Sequence, residues 1–199
     1  MIIRTSLTSP FGRKARMGAA HLGIGVDVVP TTANSPDSTL AQDNPLGKMP
    51  VMILDDGRRV YDSRVILEQL DILAGGNRII PADPKARIDA LTLQALGDGI
   101  MDAGILVVYE GRMRPKEVQH APWVEYQRGK LLRGLAWLAA NRPDPKNVTV
   151  GTISVACALG YIDWRKQSDW RKDHPSLVGW LDEFRAATKA FDATLPPEE

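Results

Sequence analysis

The 199-residue chain reads as an α/β unit followed by an all-α unit. Three observations carry that reading. Up to about residue 76, short apolar runs alternate with helical patterns in the order β-α-β-α-β-β-α. Pro81 and Pro84 then mark a linker. From Lys85 onward the apolar residues recur at helical spacing and no strand pattern appears. The expected organisation is residues 1–76, a linker at 77–84, and an all-helical part at 85–199.

Each element has a local cause. Residues 1–6 are apolar enough for a first strand. Thr8-Ser9-Pro10 then opens a helix, with proline suited to the first helical position and Ser9 placed to cap it. The helix carries Ala15, Ala19 and Leu22 on one side, with Arg13, Lys14 and Arg16 elsewhere, and Gly23 and Gly25 stop it. Residues 26–29 form a second strand, and 30–43 a polar loop with a short irregular helix. Pro50 opens the next strand, where a missing N–H costs least. Asp56-Gly57 signals a two-residue hairpin turn, because glycine accepts positive φ. Ser63, with Asp62 before it, caps a helix whose apolar side is Ile66, Leu70 and Leu73. Element counting alone matches this order to a thioredoxin-like domain.

In the second part, Ile88, Leu91, Ala95, Ile100, Ala103 and Leu106 trace a long helix. Gly97, Gly99 and Gly104 weaken it intrinsically and permit close approach by a neighbour. Further helices are expected over 115–140, over 152–164 and from Pro175, with a frayed tail at 196–199.

Composition narrows the class. Apolar content of 44% and charged content of 25% are ordinary for a soluble globular protein. A net charge of +1 gives no electrostatic case for a nucleic-acid partner. One cysteine, Cys157, excludes an intramolecular disulfide and a Cys-x-x-Cys site, and reads as a buried structural thiol. A cytoplasmic setting is the expectation, without a membrane: no secretory h-region opens the chain, and no apolar run approaches a span of ~20 residues. His21, His120 and His174 lack metal-ligand spacing, so no metal is expected.

Two stretches carry a family resemblance. The first is Asn44-Pro45-Leu46-Gly47-Lys48-Met49-Pro50 with the following hairpin and the Asp62-Ser63 pair. It resembles the thioredoxin-like half of the glutathione transferases. The second, residues 151–165, resembles the buried sixth helix of many bacterial members. There the family opens with a Ser/Thr-x-x-Asp capping box, whereas this chain has Thr149-Val150-Gly151-Thr152 and lacks the carboxylate. Together the two stretches extend the resemblance from residue 1 to about 190.

The resemblance implies roles. Pro50 would follow a cis peptide bond that turns the Met49 backbone toward a bound peptide, like an added strand. Asp62 and Ser63 would hold the γ-glutamyl end of glutathione, and Lys48 its glycyl carboxylate. The start of the first helix looks like that of the serine-type enzymes, with Ser9 at the catalytic hydroxyl position and Thr8 as backup. A hydroxyl donor and a helix N-terminus would favour the glutathione thiolate, which is the nucleophile. Two roles are thus open to Ser9, capping and thiol activation. Serine instead of cysteine there favours conjugation, glutathione-dependent addition or peroxide reduction over exchange through a protein mixed disulfide.

Asp98 and Asp102, four apart, share a helix face, suited to acid–base chemistry or a bound cation, or else open to solvent or paired with arginines such as Arg112. In several transferase classes an acid on this helix reaches the partner subunit's glutathione, a role for which Asp98 is the candidate. Tyr109 and Arg112 are candidates for the electrophile site, with a surface position as their simpler reading. The implied protein is a homodimeric glutathione transferase with glutathione as co-substrate. Its rivals are a non-catalytic glutathione-binding or regulatory module and a glutathione-dependent disulfide or peroxide reductase.

Overall fold

The computed structural model describes residues 1–33 and 38–197. The expected 30–43 loop and the 196–199 tail lie partly outside the described residues.

Four strands form one mixed sheet. They are β1 (Ile2–Thr5), β2 (Asp27–Pro30), β3 (Val51–Ile53) and β4 (Arg59–Val60), in spatial order β2-β1-β3-β4. Ile3 stands opposite Val28 in the parallel β1–β2 pair and opposite Met52 in the antiparallel β1–β3 pair. The helices α1 (Pro10–Leu22), α2 (Leu40–Asp43) and α3 (Ser63–Leu73) complete the thioredoxin-like half. Ile3, Met17, Met52, Ile66, Leu67 and Leu70 are fully buried in its core.

The chain then turns helical: α4 (Pro84–Met113), α5 (Ala121–Ala140), α6 (Val150–Trp164), α7 (Trp170–Asp173), α8 (Pro175–Ala187) and α9 (Ala190–Ala193). A short 3-10 turn, Lys116–Val118, precedes α5. Proline 115 therefore caps that turn, and α5 starts six residues later than its pattern suggests, with Pro122 in its first turn. The brief α7, anchored by the fully buried Trp170, has no sequence periodicity to announce it.

The apolar α6 is the centre of this half, buried along nearly its whole length. At its N-terminus Thr149 still caps the helix. A capping box is present although the carboxylate is missing: Thr152 Oγ1 accepts from the Thr149 N–H at 2.8 Å, and Thr149 Oγ1 from the Thr152 N–H at 3.3 Å. A hydroxyl has the lone pairs the box needs.

Helix α4 runs beside α6 in the same direction, and glycines set the spacing. An added Cβ on Gly97 would lie 2.7 Å from the Ser154 carbonyl carbon, and one on Gly104 would lie 3.2 Å from the Tyr161 ring. Contrary to the sequence expectation, α4 is long and apolar enough, by length and composition, to cross a bilayer. In the fold its buried face packs on α5 and α6.

The two halves meet along α1, whose basic residues Arg13, Lys14 and Arg16 are engaged by the helical half. Arg13 donates to the Phe191 carbonyl at 3.0 Å and lies over the Phe191 ring, 4.1 Å from its centroid. Arg16 donates to the Thr194 carbonyl at 3.0 Å. Lys14, fully buried, donates to both carboxylate oxygens of Asp98 on α4, at 2.7 and 2.8 Å. Asp71, buried at the end of α3, ties down the connection between the halves. It accepts from the backbone N–H groups of Asn77, Arg78, Ile79 and Ile80.

Candidate active site

The N-terminus of α1 opens on a cleft between the two halves of the molecule. Ser9 adopts an extended backbone, and its Oγ accepts from the Gly12 N–H at 3.1 Å, capping the helix. That bond uses an oxygen lone pair and leaves the hydroxyl proton as a donor. Ser6 and Thr8 stand beside it, their hydroxyl oxygens 2.8 Å apart.

The loop before β3 forms the facing wall. Buried Asn44 holds it from within: its Nδ2 donates to the Lys48 carbonyl at 2.8 Å and its Oδ1 accepts from the Leu46 N–H at 3.0 Å. Gly47, at φ 59°, turns the chain. The Met49–Pro50 peptide is cis, as the resemblance implies. Met49 Sδ accepts from the Ser6 N–H at 2.9 Å, which joins this wall to the first.

The helical half supplies the rest. Ile105, Val108, Tyr109 and Arg112 face the cleft from α4 at successive spacings of three, one and three residues. Tyr161, from the C-terminal part of α6, and Arg165, just beyond it, do the same. The cleft holds about 460 Å³ and is also bordered by Ser9, Lys48 and Met49. Arg165 lies over the Trp164 ring at 3.8 Å. Burial raises the Tyr161 phenol's pKa, and the Arg165 charge offsets part of that rise.

Asp62 and Ser63 sit at the start of α3 and are not in this cleft wall. Asp62, not Ser63, is the cap: Oδ1 accepts from the Arg64 N–H at 2.9 Å, and Oδ2 from the Arg64 guanidinium at 3.0 Å. Ser63 is the first residue of the helix and is buried. The Tyr61–Asp62 peptide is also cis. Partial burial pushes the Asp62 carboxyl pKa up, but the Arg64 hydrogen bonds and the charges of Arg64 and Lys14 outweigh it, leaving the pKa below its ordinary value.

The two α4 acids separate. Asp98 is buried, held by Lys14 and by the Ser154 hydroxyl at 3.3 Å, with the Arg64 guanidinium 3.8 Å away. This replaces the expected solvent exposure or Arg112 pairing. Asp102 is exposed. Partial burial and then the Asp98 charge raise its pKa, against the pull of Lys48, Arg64 and Lys14.

A larger cavity, about 680 Å³, lies elsewhere, between the first half of α4 and the end of α5, where Trp137 borders it. Thr149 and Thr152 of the α6 cap border it, and none of the candidate glutathione or electrophile residues does. Among the described residues, no group of three or more His, Cys, Asp or Glu side chains could hold a metal ion.

Sequence reasoning thus named Ser9, Lys48, Met49, Tyr109 and Arg112, which the fold brings to one cleft. It missed Ser6, Phe11, Ile105, Val108, Tyr161 and Arg165. The spacing from Ile105 to Arg112, and the four-residue step from Tyr161 to Arg165, are the signals that could have found most of them.

Comparison with known proteins decides the family. Residues 5–78 match the family profile described as Glutathione S-transferase, N-terminal domain. The uncharacterized GST-like protein YibF of Escherichia coli (strain K12) is 33% identical over 198 residues, covering 97% of both chains. This chain belongs to the glutathione transferase family. Among solved glutathione transferases, that of Methylobacillus flagellatus KT, with glutathione bound, is 36% identical. The two superpose with a TM-score of 0.90 over 98% of this chain and 99% of that one. A family member from Pseudomonas fluorescens Pf-5, with bound glutathione, is 41% identical at a TM-score of 0.89, covering 98% of each chain. A second structure of that protein holds S-(propanoic acid)-glutathione, at 39% identity, a TM-score of 0.86 and coverage of 100% and 98%.

Proposed function

We propose that this chain is a glutathione transferase of the serine type, which stabilises the glutathione thiolate and adds it to a small electrophile. One observation carries the reading. The Ser9 hydroxyl, its acceptor side occupied by Gly12, borders the same cleft as the cis-proline loop and the α4–α6 wall. Glutathione would lie along Met49, with its γ-glutamyl end at Asp62–Ser63 and its glycyl carboxylate at Lys48. The relatives solved with bound glutathione support glutathione as the ligand. Its sulfur would then meet the Ser9 hydroxyl proton and the positive end of α1, both of which favour thiolate over thiol.

Of the two α4 acids, Asp102 is the one open to a ligand's ammonium, because Asp98 is engaged by Lys14. A homodimer and a cytoplasmic location belong to the same reading. Ile72 and Leu73 on α3, 62% and 47% exposed, are suited to burial against a partner subunit.

Calorimetric titration with glutathione, with turnover of a generic aromatic electrophile, tests the reading. Ser9→Ala is expected to lower turnover more than glutathione affinity. Absence of binding at millimolar glutathione would overturn it. Glutathione binding with no turnover, and Ser9→Ala changing stability alone, would favour the non-catalytic binding module. The capping bond from Gly12 is the observation on that side.

A further inference from the structure

Cationic side chains line the cleft. Lys48, Arg112 and Arg165 border it, and no acidic side chain does so among the described residues. The glycyl carboxylate of glutathione, placed at Lys48 by the reading above, answers one of these cations. Arg112 forms no ion pair among the described residues. It stands one helical step beyond Tyr109 and Val108, on the wall that α4 shares with Tyr161 and Arg165 of the neighbouring α6 end. A guanidinium presents a fork that matches a carboxylate. The apolar surfaces of Ile105, Val108 and the two tyrosine rings would take a carbon skeleton next to it.

We propose that the electrophile is an α,β-unsaturated carboxylate whose anionic group pairs with Arg112. This rests on the glutathione-transferase reading and names its substrate class. The step balances without a redox partner. The thiolate sulfur forms a bond to the β-carbon, and the C=C π pair moves to the α-carbon. The thiol proton has gone to solvent, and a proton from solvent bonds to that pair to complete the C–H at the α-carbon. The product is a carboxyalkyl thioether of glutathione, with its carboxylate still held at the arginine. A free carboxylate disfavours attack by an anion in solution. A cation that neutralises it as charge moves onto the α-carbon lowers that barrier.

The test compares two ligands of nearly identical shape, S-(2-carboxyethyl)glutathione and S-(2-carbamoylethyl)glutathione, titrated calorimetrically into the full chain. The acid is expected to bind roughly ten-fold more tightly than the amide, the scale of one charge-assisted hydrogen bond. Arg112→Gln is expected to remove that preference, and Arg112→Lys to keep part of it, since lysine retains the charge but not the fork. Arg112 is exposed near the end of α4, so its replacement leaves the core intact. Equal affinity for acid and amide, with glutathione itself bound, overturns this proposal alone. A preference that survives Arg112→Gln overturns the assignment to Arg112. Failure of glutathione and both thioethers to bind overturns the underlying reading instead.

Discussion

Replacing Lys14 with methionine removes a charge from the junction between the two halves and leaves its partner behind. Lys14 is fully buried, and both its short hydrogen bonds end on Asp98. After Lys14→Met, Asp98 retains the Ser154 hydroxyl at 3.3 Å and the more distant Arg64. That partial compensation places the loss near the lower end of the ~3–5 kcal/mol usual for breaking a buried pair. Asp98→Leu strands an ammonium whose only carboxylate hydrogen bonds are gone, so its cost lies near the upper end of the same ~3–5 kcal/mol range. If the two costs were independent, the double variant would lose about 8 kcal/mol. With neither charge left to desolvate, Lys14→Met/Asp98→Leu is expected to lose only about 0–2 kcal/mol. Urea unfolding followed by tryptophan fluorescence, with the denaturant slope unchanged, measures all four proteins. Additive single costs, or a Lys14→Met loss under about 1 kcal/mol, would refute the argument, because either means that the pair is effectively solvated.

Two glycines of α4 are expected to respond with opposite signs. Gly97→Ala gains about 1 kcal/mol of helix propensity but forces a Cβ within 2.7 Å of α6 backbone, which cannot give way, so a net loss of about 1–2 kcal/mol is expected. Gly99→Ala meets no atom within 4 Å and is expected to stabilise by about 0.5–1 kcal/mol, checked in the same unfolding assay. Full burial pushes the Cys157 thiol up to about 11, with Arg13 and Lys14 offsetting part of the rise. Relative to the ordinary value of 9.0, that lowers the thiolate fraction at neutral pH by roughly 100-fold. Mass spectrometry after iodoacetamide treatment is expected to find native Cys157 unmodified and urea-unfolded Cys157 fully alkylated. Burial, and then the positive Arg78, lower the His21 pKa below its ordinary 6.5. As pH falls below 6.5 the unfolded chain takes up the proton first, so stability falls until pH passes the folded-state pKa. His21→Gln is expected to flatten that part of the stability–pH curve, and an unchanged slope would assign the effect to other groups.

What the sequence made legible was whatever local chemistry encodes. The cap–proline start of α1, the glycine that ends it and the strand alternation of β1 all fell where short-range pattern placed them. The roles of the basic residues of α1 were not legible because their partners lie far along the chain. Arg13 and Phe191 are 178 positions apart, and Lys14 and Asp98 are 84. Periodicity ranks lysine and arginine as surface residues and cannot see a carbonyl or carboxylate waiting on another helix. Asp71 escaped for a similar reason: one carboxylate serving four backbone N–H groups of an irregular segment leaves no spacing signature. At the cleft, Ser9, Lys48 and Met49 of the family motif line the wall while Asp62 and Ser63 do not, and the residues carried only by the α4–α6 face were found in part. Tyr109 and Arg112 attract notice as an aromatic and a cation on a helix. Ile105 and Val108 look like core, and half of their role is core.

The glycine contacts between α4 and α6 make those two helices a paired ruler. Gly151 lies against Ala90 and Leu93, Gly97 against Ser154, and Gly104 against Tyr161, so three notches hold the register. Beyond the last notch each helix carries its contribution to the cleft wall, Tyr109 and Arg112 on one and Tyr161, followed by Arg165, on the other. Gly97 and Arg112 are separated by about 22 Å of helix at 1.5 Å per residue. A bulkier side chain at Gly97 would therefore be felt at the cleft as misalignment between the two helices of one wall, without any contact with a ligand. Diversification of the acceptor end is free to proceed by exchanging side chains beyond Gly104. The notches before it set the frame against which those exchanges are measured.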